Sequence, residues 1–255
     1  MADLRSFRAE AVVLQHSDFG EADRLLTLYT REHGKVCAIV KGARKIASRK
    51  AGHLEPFTRV RLQLARGRDL MIVTQAETVE AYPALREDLT LTGYAAYVLE
   101  LLDRFVPDEQ IAVPSLYRLL TETLARLATE SIPWLTVRSY EMRLLDLLGF
   151  RPQLFECANC GKEIVAEAQF FSAALGGAVC PNCGRGLPGL WSISVEALKY
   201  LRHFQRSEYR DAVRARPEEE VRVEIETVMQ GYFQYLLERK LNTPGFMKRV
   251  RDSER

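Results

Sequence analysis

Apolar and polar residues alternate with a period of two through roughly the first eighty positions, and with a period of three to four afterwards. The clearest alternation lies at 58–66, where Val60, Leu62 and Leu64 interleave with Arg59, Arg61 and Gln63. A strand sends successive side chains to opposite faces, so this segment predicts an apolar inner face with its arginines toward solvent. Comparable runs predict strands at 7–14, 24–30, 35–41 and 70–77, with Gly67-Arg68-Asp69 as the turn before the last. No helical pattern separates these runs, which predicts a small antiparallel barrel.

From about Thr90 the spacing becomes helical. Tyr94, Tyr97, Val98, Leu101, Leu102 and Phe105 mark one helix, closed by Pro107. Leu116, Leu119, Leu120, Leu124 and Leu127 mark a second, with Pro114 suited to its first turn. Trp134, Val137, Leu144, Leu145 and Leu148 mark a third, stopped by Gly149 and Pro152. Residues 153–190 lose the periodicity and carry four of the cysteines. Helices are predicted again at 194–204, capped by Ser194, and at 218–241, with glutamates at the start and Arg239 and Lys240 at the end as the helix dipole favours. The fold class is α+β: a barrel at 1–81, a helical domain at 82–152 and 191–255, and an inserted cysteine-bearing segment at 153–190.

Composition narrows this picture little. Among 255 residues, 47% are hydrophobic and 27% charged, which argues against disorder, and the formal net charge is only +2. Partners must therefore be read from local charge. No apolar run approaches the roughly 20 residues of a membrane-spanning helix. The opening MADLRSFRAE lacks the apolar core of a secretory signal, so a cytoplasmic protein is expected.

CANCG at 157–161 and CPNCG at 180–184 place two C-x2-C pairs around a 19-residue spacer. A two-residue gap lets both thiolates of a pair face one ion, and the following Gly161 and Gly184 let the backbone fold back toward sulfur. Cys157, Cys160, Cys180 and Cys183 are thus the expected ligands of a zinc ion. Four thiolates complete a tetrahedron and leave no open position, so the zinc would be structural. Two redox pairs are the alternative. Neither an H-x-E before the second pair nor an H-E-x-x-H occurs, so deaminase and metalloprotease chemistry have no support. Cys37, in VCAIV, reads as a buried small hydrophobe.

Six cations and no acid occur between Lys35 and His53: Lys35, Lys41, Arg44, Lys45, Arg49 and Lys50. The stretch 41–50 reads as a mobile loop between strands, its charges spaced by Gly42, Ala43, Ala47 and Ser48, with Ile46 as the one apolar anchor. Arg59, Arg61, Arg66 and Arg68 add charge on the next strand and turn. This local excess predicts contact with nucleic-acid phosphates, against the alternative of a merely solvated loop. Phe19, Tyr29 and Phe57 are nearby aromatics for base stacking, with a core role expected for at least two. Asp18, Glu21 and Asp23 read as a solvated turn. The histidines His16, His33, His53 and His203 are scattered and no nucleophile motif accompanies them, so no enzymatic activity is expected.

Several segments together resemble the bacterial recombination-repair mediator family RecO: FGEADRLLTLYT at 19–30, Gly34-Lys35, KGARK at 41–45, LEPF at 54–57, LLDLLGFRPQLFEC at 144–157, FSAALGGAVC at 171–180 and YLLERKLNTPGFMKRV at 235–250. The resemblance spans nearly the whole chain, in the same order. It implies an oligonucleotide-binding (OB) barrel, a helical domain and a zinc segment. It also implies binding of single- and double-stranded DNA, annealing of complementary strands, and partnership with RecR and with single-stranded-DNA-binding protein (SSB). The usual outcome is loading of RecA onto SSB-coated DNA. Some members lack the full cysteine set, so zinc is not a general requirement of that activity. The SSB tail, acidic with an apolar end, calls for arginine beside an apolar groove; Arg138, Tyr140, Arg143, Leu144 and Leu148 resemble the family's tail-binding segment. A zinc-ribbon adaptor that binds only proteins is the competing reading, and a nuclease using Asp18 or Asp23 is a second.

Overall fold

A computed structural model of the chain describes residues 6–45, 48, 50–108 and 112–253. In order, the elements are β1 (Ser6–Phe19), β2 (Asp23–Thr30), β3 (Gly34–Val40), β4 (Arg59–Arg66), β5 (Met71–Glu80), α1 (Ala84–Glu87), α2 (Leu89–Phe105), α3 (Pro114–Leu127) and α4 (Pro133–Leu147). There follow β6 (Gln169–Ser172), β7 (Gly177–Val179), α5 (Pro181–Gly184), β8 (Leu190–Ile193), α6 (Val195–Arg206), α7 (Tyr209–Ala212), α8 (Glu219–Leu237) and α9 (Thr243–Ser253). None of the described helices is long and apolar enough to cross a membrane. The chain divides into two compact units, one of residues 1–133 with 242–255 and one of residues 134–241.

In the first unit, β1 to β5 close into an OB-like barrel in the order β1-β2-β3-β5-β4. The long β1 pairs with β4 through its first half and with β2 through its second, bending at a register shift between Val13 and Gln15. One correction to the antiparallel expectation follows from the connection after β3. After it β4 pairs antiparallel with β1 rather than with β3, so β5, antiparallel to β4, runs in the same direction as β3. The β3–β5 pairing is accordingly parallel, and only Ala38↔Met71 and Ile39↔Ile72 register. Val60, Leu62 and Leu64 point into the core with Ala11, Leu26, Leu28, Ala38 and Val73, while Arg61 is exposed, as the alternation requires.

Against this barrel, Asp88 caps α2 by accepting from Leu91 N, and Pro114 opens α3. The last predicted helix, 218–241, ends short at Leu237, and a helix that the spacing did not predict, α9, follows it. Glu238 turns left-handed at φ 51° and ends α8, and the chain resumes as α9. The N-terminal N–H of Thr243 and its hydroxyl both donate to Glu100 on α2, at 2.9 and 2.6 Å, so α9 belongs to the barrel unit.

The second unit packs α4, α6 and α8 around a three-stranded sheet of order β7-β6-β8, where the loss of periodicity had concealed strands. Trp134 meets Phe204 edge-on at 6.0 Å and donates its indole N–H to Glu226 at 2.9 Å. Ser194 caps α6 as expected, accepting from Ala197 N. A side chain at Gly231 would stand 2.4 Å from the Trp191 ring, so that glycine lets α8 lie on β8.

Candidate nucleic-acid interface and metal centre

The basic stretch after β3 is held on the barrel rim. Asp23, at the start of β2, accepts from the Lys41 ammonium and from Gly42 N, both at 2.8 Å. The Lys41 bond first, then the Gly42 N–H, hold its carboxyl below the usual range. Arg44 reaches Asp18 at 3.3 Å and the carbonyls of Gly20 and Glu21, while Arg44 N bonds Ala22 O at 2.9 Å. Residues 41–45 are therefore an ordered turn, which corrects the reading of a mobile loop over that part. Its anchor is Ala43, 2% exposed in the barrel core, a residue that reads in the sequence as a spacer. Ile46, Ala47 and Arg49 lie outside the described residues.

The other expected DNA contacts scatter. Lys45 is exposed on the same turn as Lys41 and Arg44, but Arg61 is exposed elsewhere, 3.5 Å from Glu77. Lys50 donates to Val73 O at 3.1 Å. Arg59 bonds Glu10 at 2.9 Å, and Glu10 also accepts from Tyr117 Oη. Lys35 departs most from expectation, because its side chain is 12% exposed and its ammonium is held by Asp103 at 2.8 Å and Asp108 at 3.1 Å. Burial alone would lower its pKa; Asp103 and Asp108 outweigh that and raise it. An ammonium so engaged ties β3 to the end of α2 and is not presented to a phosphate.

Of the three aromatics, Tyr29 and Phe57 are buried and Phe19 is 47% exposed at the end of β1, beside the Gly20 carbonyl that Arg44 bonds. The rim thus gathers Lys41, Arg44, Lys45 and Phe19. Sequence patterning missed Asp23 as the organiser of this rim. Three acids in a turn look solvated until the fold brings the end of β3 beside them.

The five residues expected to receive an acidic tail do not form a surface. Arg138, Tyr140 and Leu144 are buried, and Arg138 bonds Glu141 at 2.8 Å. Arg143 donates to Ser207 O at 2.9 Å and, like Leu148, is half-buried. This is a correction. The helical period that marks α4 places these side chains on its packed faces, where arginine is retained by pairing rather than exposure.

The cysteines converge. The sulfurs of Cys157, Cys160, Cys180 and Cys183 lie within 4.8 Å of one another, with Cys160 and Cys180 at 4.0 Å. Thiolates around zinc at about 2.3 Å stand about 3.8 Å apart, so the cluster fits a tetrahedral ion with little adjustment and could bind a metal. Each knuckle closes a backbone bond, Gly161 N to Cys157 O at 2.8 Å and Gly184 N to Cys180 O at 3.0 Å. Gly161 is left-handed at φ 71°, as expected. Gly184 serves otherwise: a side chain there would stand 2.3 Å from the Phe170 ring. Burial pushes the Cys157 thiol up, but N–H groups of Cys180, Cys160 and Asn159 outweigh it and bring it to about 6, favouring the thiolate that a metal needs. Arg202 of α6 clamps this segment by donating to Leu154 O at 2.9 Å and Ile164 O at 3.1 Å. Cys37, expected buried, is half-buried, and burial raises its thiol.

Comparison with known proteins agrees with this architecture. Residues 1–82 match the family Recombination protein O N terminal and residues 86–244 match Recombination protein O C terminal. DNA repair protein RecO of Roseiflexus sp. (strain RS-1) is 40% identical over 248 residues, covering 97% of this chain and 87% of the relative. The protein of that name from Pelotomaculum thermopropionicum is 37% identical over 246 residues, covering 96% and 95%. That from Geobacter metallireducens is 37% identical over 248 residues, covering 97% and 99%. With an OB-like barrel, a four-cysteine cluster and similarity along nearly its whole length, the chain belongs to the RecO family of DNA repair and recombination proteins.

Proposed function

We propose that the protein is a recombination mediator that grips DNA by its backbone, anneals complementary single strands and, with RecR, helps load RecA onto SSB-coated DNA. The observation that carries this reading is the barrel rim, where Lys41, Arg44 and Lys45 sit on an ordered turn beside the exposed Phe19. Lysine and arginine on phosphates fix position without reading sequence, and an aromatic face accepts any base. Annealing of arbitrary sequences needs both properties and no base-specific contact. Lys50, half-buried with its ammonium on Val73 O, and the exposed Arg61 are further phosphate contacts in this reading. Arg59 is a weaker contributor because Glu10 holds it, and Lys35 is left out because Asp103 and Asp108 hold it. Arg49 stays a contact by sequence alone.

In the same reading the four cysteines hold Zn2+, which supplies folding energy and no reaction step, since four thiolates leave no position for water. RecR and SSB are protein partners, as the family resemblance implies; the α4 set is not offered as the SSB contact, because its arginines are engaged within the fold.

The test is an annealing assay with complementary oligonucleotides, bare and SSB-coated, at low ionic strength. The expected result is faster duplex formation in both. Failure to accelerate pairing of bare strands overturns the reading.

A further inference from the structure

At the barrel end opposite the basic rim, the short β3–β5 pairing leaves the first half of β3 without a neighbour on that side. A notch of about 560 Å³ opens there between the β2–β3 turn and the β4–β5 turn, within the range of roughly 300–1,000 Å³ typical of small-ligand sites. Its wall carries two rings in contact, Phe7 and His33, with centroids 4.2 Å apart and planes tilted by 51°. Phe7 is half-buried against the barrel core, and His33 lies exposed above it. The backbone carrying His33 is held in place: its backbone N–H donates to Thr30 Oγ1 at 2.9 Å, and that hydroxyl donates to Gly34 O at 2.9 Å.

Facing the rings is a tight cationic turn. Arg66 and Arg68 flank Gly67, whose N–H bonds Leu70 O at 3.0 Å. A side chain at Gly67 would stand 2.3 Å from that carbonyl, so the tight turn between the two exposed arginines requires glycine. Leu70 and Met71 supply the apolar floor. Asp108 is paired with Lys35 at 3.1 Å and Asp69 offsets part of the arginine charge, so the notch can take a flat neutral ring and leave its phosphate at the arginine side.

We propose that this notch is a subsite for one unpaired nucleobase of a single-stranded nucleic acid, the base laid on the His33 ring and its phosphate at Arg68. The subsite rests on the DNA-binding reading above but is separate from the basic rim. Lys35 and Lys41 mark the two ends of β3, six residues and about 20 Å apart. A strand held in the notch is therefore distinct from contacts at Lys41, Arg44 and Lys45, and only an unstacked base satisfies it. A closed duplex offers none.

The experiment compares two fluorescent probes of equal length and phosphate count, an oligothymidylate and a fully abasic strand, by anisotropy titration of the full chain. Wild type is expected to bind the thymidylate more tightly. His33→Ala should lower that affinity by about 5- to 160-fold, the range for loss of one stacked base, and leave the abasic strand unchanged. His33→Phe should keep the preference. Equal binding of both probes by wild type overturns the subsite while leaving the phosphate grip intact. Binding of neither probe overturns the DNA reading itself. A preference undiminished in His33→Ala, where only stacking on Phe19 should remain, or an equal loss on both probes, removes the base from this notch.

Discussion

The carboxylate of Asp23 spans the Lys41 ammonium and the Gly42 N–H, each at 2.8 Å, so one acid fixes both the charge and the backbone of the basic rim. A cationic segment with no acid in its own sequence is thereby ordered by one from a neighbouring hairpin. The arrangement lowers self-repulsion among Lys41, Arg44 and Lys45 and leaves Lys41 60% exposed. Ordering the cations before DNA arrives removes part of the entropic cost of binding.

The first prediction concerns acid. The folded carboxyl of Asp23 lies below its unfolded value near 3.8, so its contribution is present above that value and is lost as pH falls through the folded pKa. Asp23→Asn should therefore speed amide exchange of residues 41–45 at neutral pH, with the difference from wild type vanishing in acid. Equal protection of the two proteins at neutral pH would show that Asp23 does not hold the turn.

Salt dependence tests the rim as a phosphate grip. Each phosphate neutralised on a single strand contributes about −0.7 to the slope of log K against log salt, so replacing Lys41, Arg44 and Lys45 with alanine should make the slope shallower by about 2. Titrations across several salt concentrations measure it directly. An unchanged slope would remove these residues from the interface.

Much of this was legible in the sequence for identifiable reasons. The strand 59–66 and the cysteine knuckles are specified by local spacing, and local spacing survives folding. What the sequence concealed are relationships across the chain. Lys35 reads as one cation among six until the end of α2 brings Asp103 to it. Ala43 reads as a spacer until the barrel end closes over it. Arg138 and Tyr140 share one helical period with surface arginines elsewhere, and only the packed unit shows that they face inward. The notch lined by Phe7 and His33 joins residues 26 positions apart and has no signature along the chain.

Lys35→Ala should separate stability from binding. Its loss leaves Asp103, 20% exposed, without its ammonium partner, while Asp108 at 67% exposure returns to water. Discounting the exposed half of the interaction, a loss of about 1–2 kcal/mol in unfolding free energy is expected. The salt slope of DNA binding should not change. A shallower slope without loss of stability would restore Lys35 to the interface.

Zinc removal should act on the second unit first. Chelation is expected to lower the thermal transition of the full chain, because the four-cysteine cluster lies wholly within residues 134–241. Salt-dependent DNA binding, carried by the barrel, should persist at temperatures below that transition. Loss of binding while circular dichroism still reports the barrel folded would give the metal a direct part in the interface.

The two knuckle glycines make opposite demands, and a pair of substitutions exposes them. Gly161 is left-handed with nothing within 4 Å of where a side chain would begin, so its requirement is conformational. Gly161→Ala should cost about 1–2 kcal/mol and Gly161→Asn less, because asparagine tolerates that backbone. Gly184 has ordinary backbone geometry and a Phe170 ring 2.3 Å from the added carbon. There Gly184→Ala should cost about 1–3 kcal/mol through displacement of the ring, and Gly184→Asn more, since a larger side chain worsens the clash. Thermal unfolding with zinc present, paired with metal retention against a competing chelator, reads both effects. Equal rescue by asparagine at the two positions would mean that backbone conformation, not the Phe170 contact, governs the second knuckle.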